Sequence, residues 1–186
     1  MKKTLMTLVV AGCASLGAAQ YAVAQTATDI QSSMDQDKVF LKHAAEGGYA
    51  EVQFGQLAAQ KATNPDVKAF AQKMVDDHTA LNNNLMPFAQ RAEVKPPTQL
   101  DKKDKMAYDR LSALSGDAFD KAYVQYMVMD HKKDLGDFKG EVHQTNNPDL
   151  KAAVQQGEQV IAGHYEMVQK LAGKVGAGGA ASAGGK

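Results

Sequence analysis

Apolar residues recur every three or four positions through most of this chain, and strict apolar–polar alternation is nowhere sustained. That spacing traces one face of an α-helix, so the pattern predicts helices and no sheet. The seam Phe40, Ala44, Gly47, Glu51, Phe54, Ala58 predicts a first helix from about Met34 to Ala62. Gly47 and Gly48 inside it cost about 1 kcal/mol each in helix propensity, which points to a close neighbouring helix or a bulge. Asn64-Pro65-Asp66 opens a second helix with a cap residue, a proline in the first turn and an acid at the positive helix end. Its seam is Val67, Phe70, Met74, His78, Leu81, Leu85, Phe88. The same triplet, Asn147-Pro148-Asp149, opens the last helix, with the seam Leu150, Val154, Gly157, Ile161, His164, Val168, Leu171. Between these, Lys95-Pro96-Pro97 is a break, and TQLDKKDKMAYDRLSAL reads as a short, mostly exposed helix. Ser115-Gly116-Asp117 then precedes a helix from about Asp117 to His143 with the face Phe119, Tyr123, Met127, His131, Leu135. The fold class is therefore all-α: a four-helix bundle with a short extra helix in the central connection.

Each long helix carries an ionisable residue in its apolar seam: Glu51, His78, His131 and His164. Two of them close a repeat, KAFAQKMVDDH (Lys68 to His78) and KAYVQYMVMDH (Lys121 to His131). A repeat kept only for packing would let its polar positions vary, yet Asp77-His78 and Asp130-His131 match. All four residues fall near the middles of their predicted helices, so they can meet at one depth. An unpaired buried polar group costs about 1–3 kcal/mol, so the four must satisfy one another or share a ligand. Neutral imidazoles with a carboxylate suit a transition metal such as zinc, iron, manganese or copper. The alternative is a metal-free polar network that fixes helix register. Asp77 and Asp130 are placed to orient imidazoles in either case. Met74 and Met127, four residues before His78 and His131, add a thioether pattern that suits copper, although methionine at helical spacing is more often core filler. His43 and Glu46, one turn apart beside the first seam, read as a solvated pair, with an extension of the polar cluster as the alternative.

Composition narrows the function classes. The 21 basic and 21 acidic side chains balance, with no basic patch, which argues against nucleic acid as a partner. No phosphate loop, nucleophile elbow or thiol nucleophile is present, so the residues argue against an enzyme. Lys2 and Lys3 precede a short apolar run, and Ala22-Val23-Ala24 follows: the form of a bacterial secretory signal cut after Ala24. Residues 1–24 are thus expected to be the signal, 25–34 a linker, 35–172 the bundle and 173–186 a flexible Gly/Ala-rich tail. The expected location is periplasmic or secreted. The rival is Val10-Ala11-Gly12-Cys13, a lipoprotein box that would anchor the chain to a membrane through a lipidated Cys13, its single cysteine. A homo-oligomer is compatible with this reading; the partner is left open.

Segments FLKHAAEGGYAEVQFGQLAAQKATNPDVKAFAQKMVDDH and FDKAYVQYMVMDH, with the His164 helix, resemble the exported bacterial family called domain of unknown function 4142, of the ferritin-like superfamily. The resemblance covers about Phe40 to Leu171 and implies a ferritin-like four-helix bundle. It implies no activity. The superfamily's di-iron plan uses Glu-Xaa-Xaa-His motifs, whereas Val75, Val128 and Ile161 stand three residues before His78, His131 and His164. Ferroxidase chemistry is therefore not carried over. The sequence supports an exported helical bundle that binds a transition metal, in metal homeostasis or envelope stress, with a metal-free structural or interaction protein as the alternative.

Overall fold

The computed structural model describes the backbone of residues 14–177 and the side chains of residues 28–177. The basic leader, Cys13 and most of the expected tail lie outside the described residues. Five helices follow in order: α1 (Ala14–Lys61), α2 (Pro65–Arg91), α3 (Lys102–Ser112), α4 (Gly116–Gln144) and α5 (Pro148–Lys174). Among the described residues there is no strand.

Helix starts follow local chemistry. The Asn64 side chain accepts from the Asp66 and Val67 amides at 2.8 and 3.3 Å, and Asn147 accepts from Asp149 and Leu150, both at 3.1 Å. Each asparagine satisfies amide donors that a helix end otherwise leaves open. Asp101 does the same for α3 through the Asp104 amide at 2.7 Å. The start of α1 differs from expectation: the helix begins at Ala14, some twenty residues before Met34, and runs through the segment read as a linker. From Ala18 to Glu46 the chain contains neither glycine nor proline, so nothing local stops the helix.

Topology follows from the ends. The α1–α2 loop is tied to the start of α4, where Asp120 accepts from the Thr63 amide, the Thr63 hydroxyl (2.7 Å) and the Asn64 amide (2.8 Å). Lys174 at the end of α5 pairs with Asp66 at the start of α2 at 2.8 Å. One end of the bundle therefore holds the finish of α1 and α5 and the start of α2 and α4. Helix α1 packs on α2 and α4, and α5 packs on the same two. Every neighbouring pair is antiparallel, while α1/α5 and α2/α4 are parallel diagonals. The connection carrying α3 is the single long crossover, and α3 packs on α4 and α1.

Two glycines of α1, Gly48 and Gly55, mark a close approach to α2, whereas a Cβ at Gly47 would meet only Asp134, at 3.9 Å. A Cβ at Gly48 would run into the Asn82 side chain of α2, and one at Gly55 would lie 2.9 Å from Val75 Cγ2 and 3.0 Å from the Ala71 carbonyl oxygen. The apolar core divides into two clusters. One is built on Phe54, Phe70, Met74, Phe119, Tyr123 and Met127; the other on Phe40, Leu81, Leu85, Phe138, Leu150 and Ile161. In α2, α4 and α5 the histidine of the seam sits where one cluster gives way to the other.

Candidate metal centre

The repeated Met-Val-Xaa-Asp-His segments lie on α2 and α4, the parallel diagonal, so His78 and His131 face each other across the bundle axis. Their ring centroids are 5.7 Å apart and nearly perpendicular. His164 enters from α5, with its ring 5.2 Å from that of His78 and 5.5 Å from that of His131. All three are at most 2% exposed. One ring nitrogen from each lies within 4.8 Å of the others. Phe70 closes one side, 6.4 Å from the His131 ring and 6.2 Å from His164.

Hydrogen bonding decides which nitrogens are free. His164 Nε2 lies 2.7 Å from Asp77 Oδ2, so a proton on Nε2 is held by the carboxylate and Nδ1 keeps a lone pair. His131 Nδ1 donates to the Met127 carbonyl at 3.1 Å, leaving the lone pair on Nε2. The remaining atoms, His164 Nδ1, His131 Nε2 and both nitrogens of His78, are buried without a hydrogen-bond partner. Buried polar atoms are nearly always paired, so four orphaned nitrogens in one layer are an unusual concentration.

Electrostatics keep these rings neutral. Burial, then the neighbouring His131 and His164, holds His78 well below the ordinary imidazole range. Burial and His164 push His131 down to about 4. Burial also lowers His164, although Asp77 pulls the other way. Burial alone would raise Asp77, but hydrogen bonds from Lys73 (2.8 Å) and His164 outweigh it and keep the carboxylate ionised. Neutral imidazoles anchored through their second nitrogen are the form in which histidine binds metal. The donor set therefore fits such an ion. Nitrogens bound at about 2.0–2.1 Å to one tetrahedral ion lie about 3.4 Å apart, against at most 4.8 Å between the imidazole nitrogens here.

Glu51 reaches the same layer but not the same cluster. It is fully buried, and its Oε1 lies 3.5 Å from His131 Nδ1, on the side of that ring away from the free Nε2. It groups instead with Asp130 and Asp134, one oxygen of each lying within 4.8 Å of the others. Burial first, then the Asp130 carboxylate, raises the Glu51 carboxyl well above its ordinary range. The twin aspartates thus take different places: Asp77 on His164, Asp130 beside Glu51. Met74 and Met127 are fully buried in the apolar cluster, and Met127 contributes its backbone carbonyl. His43 is exposed, and Glu46 pairs with Lys42 at 3.3 Å.

Two participants escaped sequence reasoning. Asp134 had a signal, since it stands one turn after Asp130 on the same face of α4. The Met127 carbonyl had none, because a main-chain acceptor leaves no trace in residue identity. A cavity of about 260 Å³ is bordered by His78, Asp130 and Asp134, and links this layer to solvent.

Fold and site together define a four-helix bundle with a histidine layer in its core. The chain belongs to the family described as Domain of unknown function (DUF4142), whose profile matches residues 19–171. No match is found among curated proteins. Among solved structures, it is similar to a two-domain protein from Anabaena variabilis containing DJ-1/ThiJ/PfpI-like and ferritin-like domains. The two are 13% identical with a TM-score of 0.55, over 81% of this chain and 39% of that one. The chain thus spans well under half of that protein, and at this identity the likeness establishes the fold alone. The fold is a ferritin-like four-helix bundle with a short extra helix in its central connection.

Proposed function

We propose that this protein is an exported metal-binding bundle whose His78, His131 and His164 hold one late first-row divalent ion, zinc or copper, for metal homeostasis or envelope stress. The carrying observation is the set of orphaned ring nitrogens converging between α2, α4 and α5. Imidazole donors without thiolate suit these ions, and a bound ion would give the lone pairs the partner the protein does not supply. Asp77 and the Met127 carbonyl act as positioning groups. A metal-free polar network accounts for the site less well, because both nitrogens of His78 would stay unsatisfied within it.

The test uses chelator-stripped protein without a polyhistidine tag, equilibrated with zinc or copper and desalted before metal analysis. About one equivalent is expected to remain. His78→Ala combined with His131→Ala loses it, and Asp77→Asn weakens affinity by about 10–100-fold, as loss of a histidine-orienting carboxylate does. Uptake that is absent from the parent, or unchanged in the double variant, sinks the reading.

Export rests on the Lys2-Lys3 leader and its apolar run. Among the described residues no helix is long and apolar enough to cross a membrane. Mass spectrometry of protein recovered from the native envelope is expected to find Gln25 as the first residue. A lipidated Cys13 would replace this with the anchored alternative, and an intact leader on all of the protein would refute export.

A further inference from the structure

Glu51 is fully buried on α1, and as an ionised carboxylate neither of its oxygens has a hydrogen-bond donor; its protonated form bonds to Asp130 instead. The nearest donor, His131 Nδ1 at 3.5 Å, directs its proton to the Met127 carbonyl. One oxygen each from Glu51, Asp130 and Asp134 lies within 4.8 Å of the others. Asp130 and Asp134 stand one turn apart on α4, and Glu51 faces them from the antiparallel neighbour α1. Three carboxyl groups in so small a space repel one another in a weakly polarisable interior. Among the described residues, Lys133 is the one cation in contact with the group, 3.4 Å from Asp134 Oδ1, and it makes its shorter bond, 2.6 Å, to Asp137 outside the cluster.

We propose that Glu51, Asp130 and Asp134 form a second cation site, separate from the three imidazoles, that takes a hard divalent ion such as Ca²⁺ or Mn²⁺. The donors are all oxygen, the choice of hard cations, whereas the imidazole site offers only nitrogen. The His131 ring divides the two: its free Nε2 belongs to the nitrogen cluster, and its Nδ1 edge approaches Glu51. The cavity bordered by Asp130, Asp134 and His78 gives a hydrated ion a way in and room for the waters that complete its coordination. The ionised form of Glu51, which has no hydrogen-bond donor within reach, acquires a counter-charge when an ion is present.

Calorimetric titration of the chelator-stripped full-length chain with Ca²⁺ alone, and then with Mn²⁺ alone, tests this. One saturable equivalent is expected. Glu51→Gln and Asp134→Asn should each weaken it by at least about tenfold, in line with the loss of a charged oxygen ligand. Asp134 is partly exposed, so Asp134→Asn decides the matter even if Glu51→Gln fails to fold. His78→Ala/His164→Ala should abolish zinc retention and leave the Ca²⁺ isotherm in place, whereas Asp134→Asn should keep zinc. The two sites can therefore fail independently. Absence of saturable uptake of either ion by the parent, or uptake unaltered by Asp134→Asn, overturns the proposal.

Discussion

Replacing His78 with leucine is expected to raise the thermal midpoint of the metal-free protein while abolishing its response to zinc. His78 is 2% exposed and neither ring nitrogen has a partner. An unsatisfied buried polar group costs about 1–3 kcal/mol, and an apolar residue of similar volume removes that cost. For a chain of this size each kcal/mol moves the midpoint by about 2–4 °C, so a gain of several degrees is expected. The parent, by contrast, gains about 4 kcal/mol when zinc is present at a thousandfold excess over its dissociation constant, and His78→Leu gains none. The effect is specific to His78. Leucine in place of His131 or His164 also removes the partner of the Met127 carbonyl or of Asp77, which offsets the gain. Scanning calorimetry with chelator and with zinc reads both halves. A variant that melts below the parent in chelator would mean that His78 supports the metal-free fold, which is what a closed polar network requires.

Asp120→Ala is expected to destabilise the protein by about 3 kcal/mol, the lower end of about 1–3 kcal/mol for each of three donors that lose one acceptor, because Thr63 is exposed to water. Asp120 is 2% exposed, and its carboxyl receives the Thr63 amide, the Thr63 hydroxyl and the Asn64 amide. Those bonds hold the α1–α2 loop against the first turn of α4, at the end of the bundle where four helix termini meet. The Asp120→Asn variant keeps one acceptor oxygen in its side-chain amide, so it should recover part of the loss. Denaturant midpoints measure both variants at constant m-value. A loss below about 1 kcal/mol in Asp120→Ala would show that the loop finds other partners, contrary to the role assigned to this carboxyl.

These two residues differ in how far sequence reveals them. His78 stands out because an imidazole interrupts an otherwise apolar seam and recurs in a near copy fifty-three positions later, at His131. Asp120 does not: it sits among charged neighbours near a helix start, where acids are common for local reasons. Its importance comes from Thr63 and Asn64, which are remote in sequence. Asp77 and Asp130 show the same limit within the repeat itself. Identical neighbours place both one residue before a core histidine, yet one meets α5 and the other α1, because α2 and α4 stand at opposite corners of the bundle.

By itself the sequence determined the helices, their capped starts, the apolar seams and the three histidines within them, because periodicity and capping depend on residues a few positions apart. It placed the start of α1 near Met34, some twenty residues late, since a run without breakers carries no start signal. Only the tertiary structure decided the division of the polar layer. Glu51 shares the depth of the histidines, but the packing of α1 against α4 turns it to the Nδ1 side of His131 and into the company of Asp130 and Asp134. Depth along a helix follows from counting residues. Which atom faces which follows from the orientation of neighbouring helices and from a single proton, given to the Met127 carbonyl, that leaves His131 Nε2 free for the nitrogen cluster.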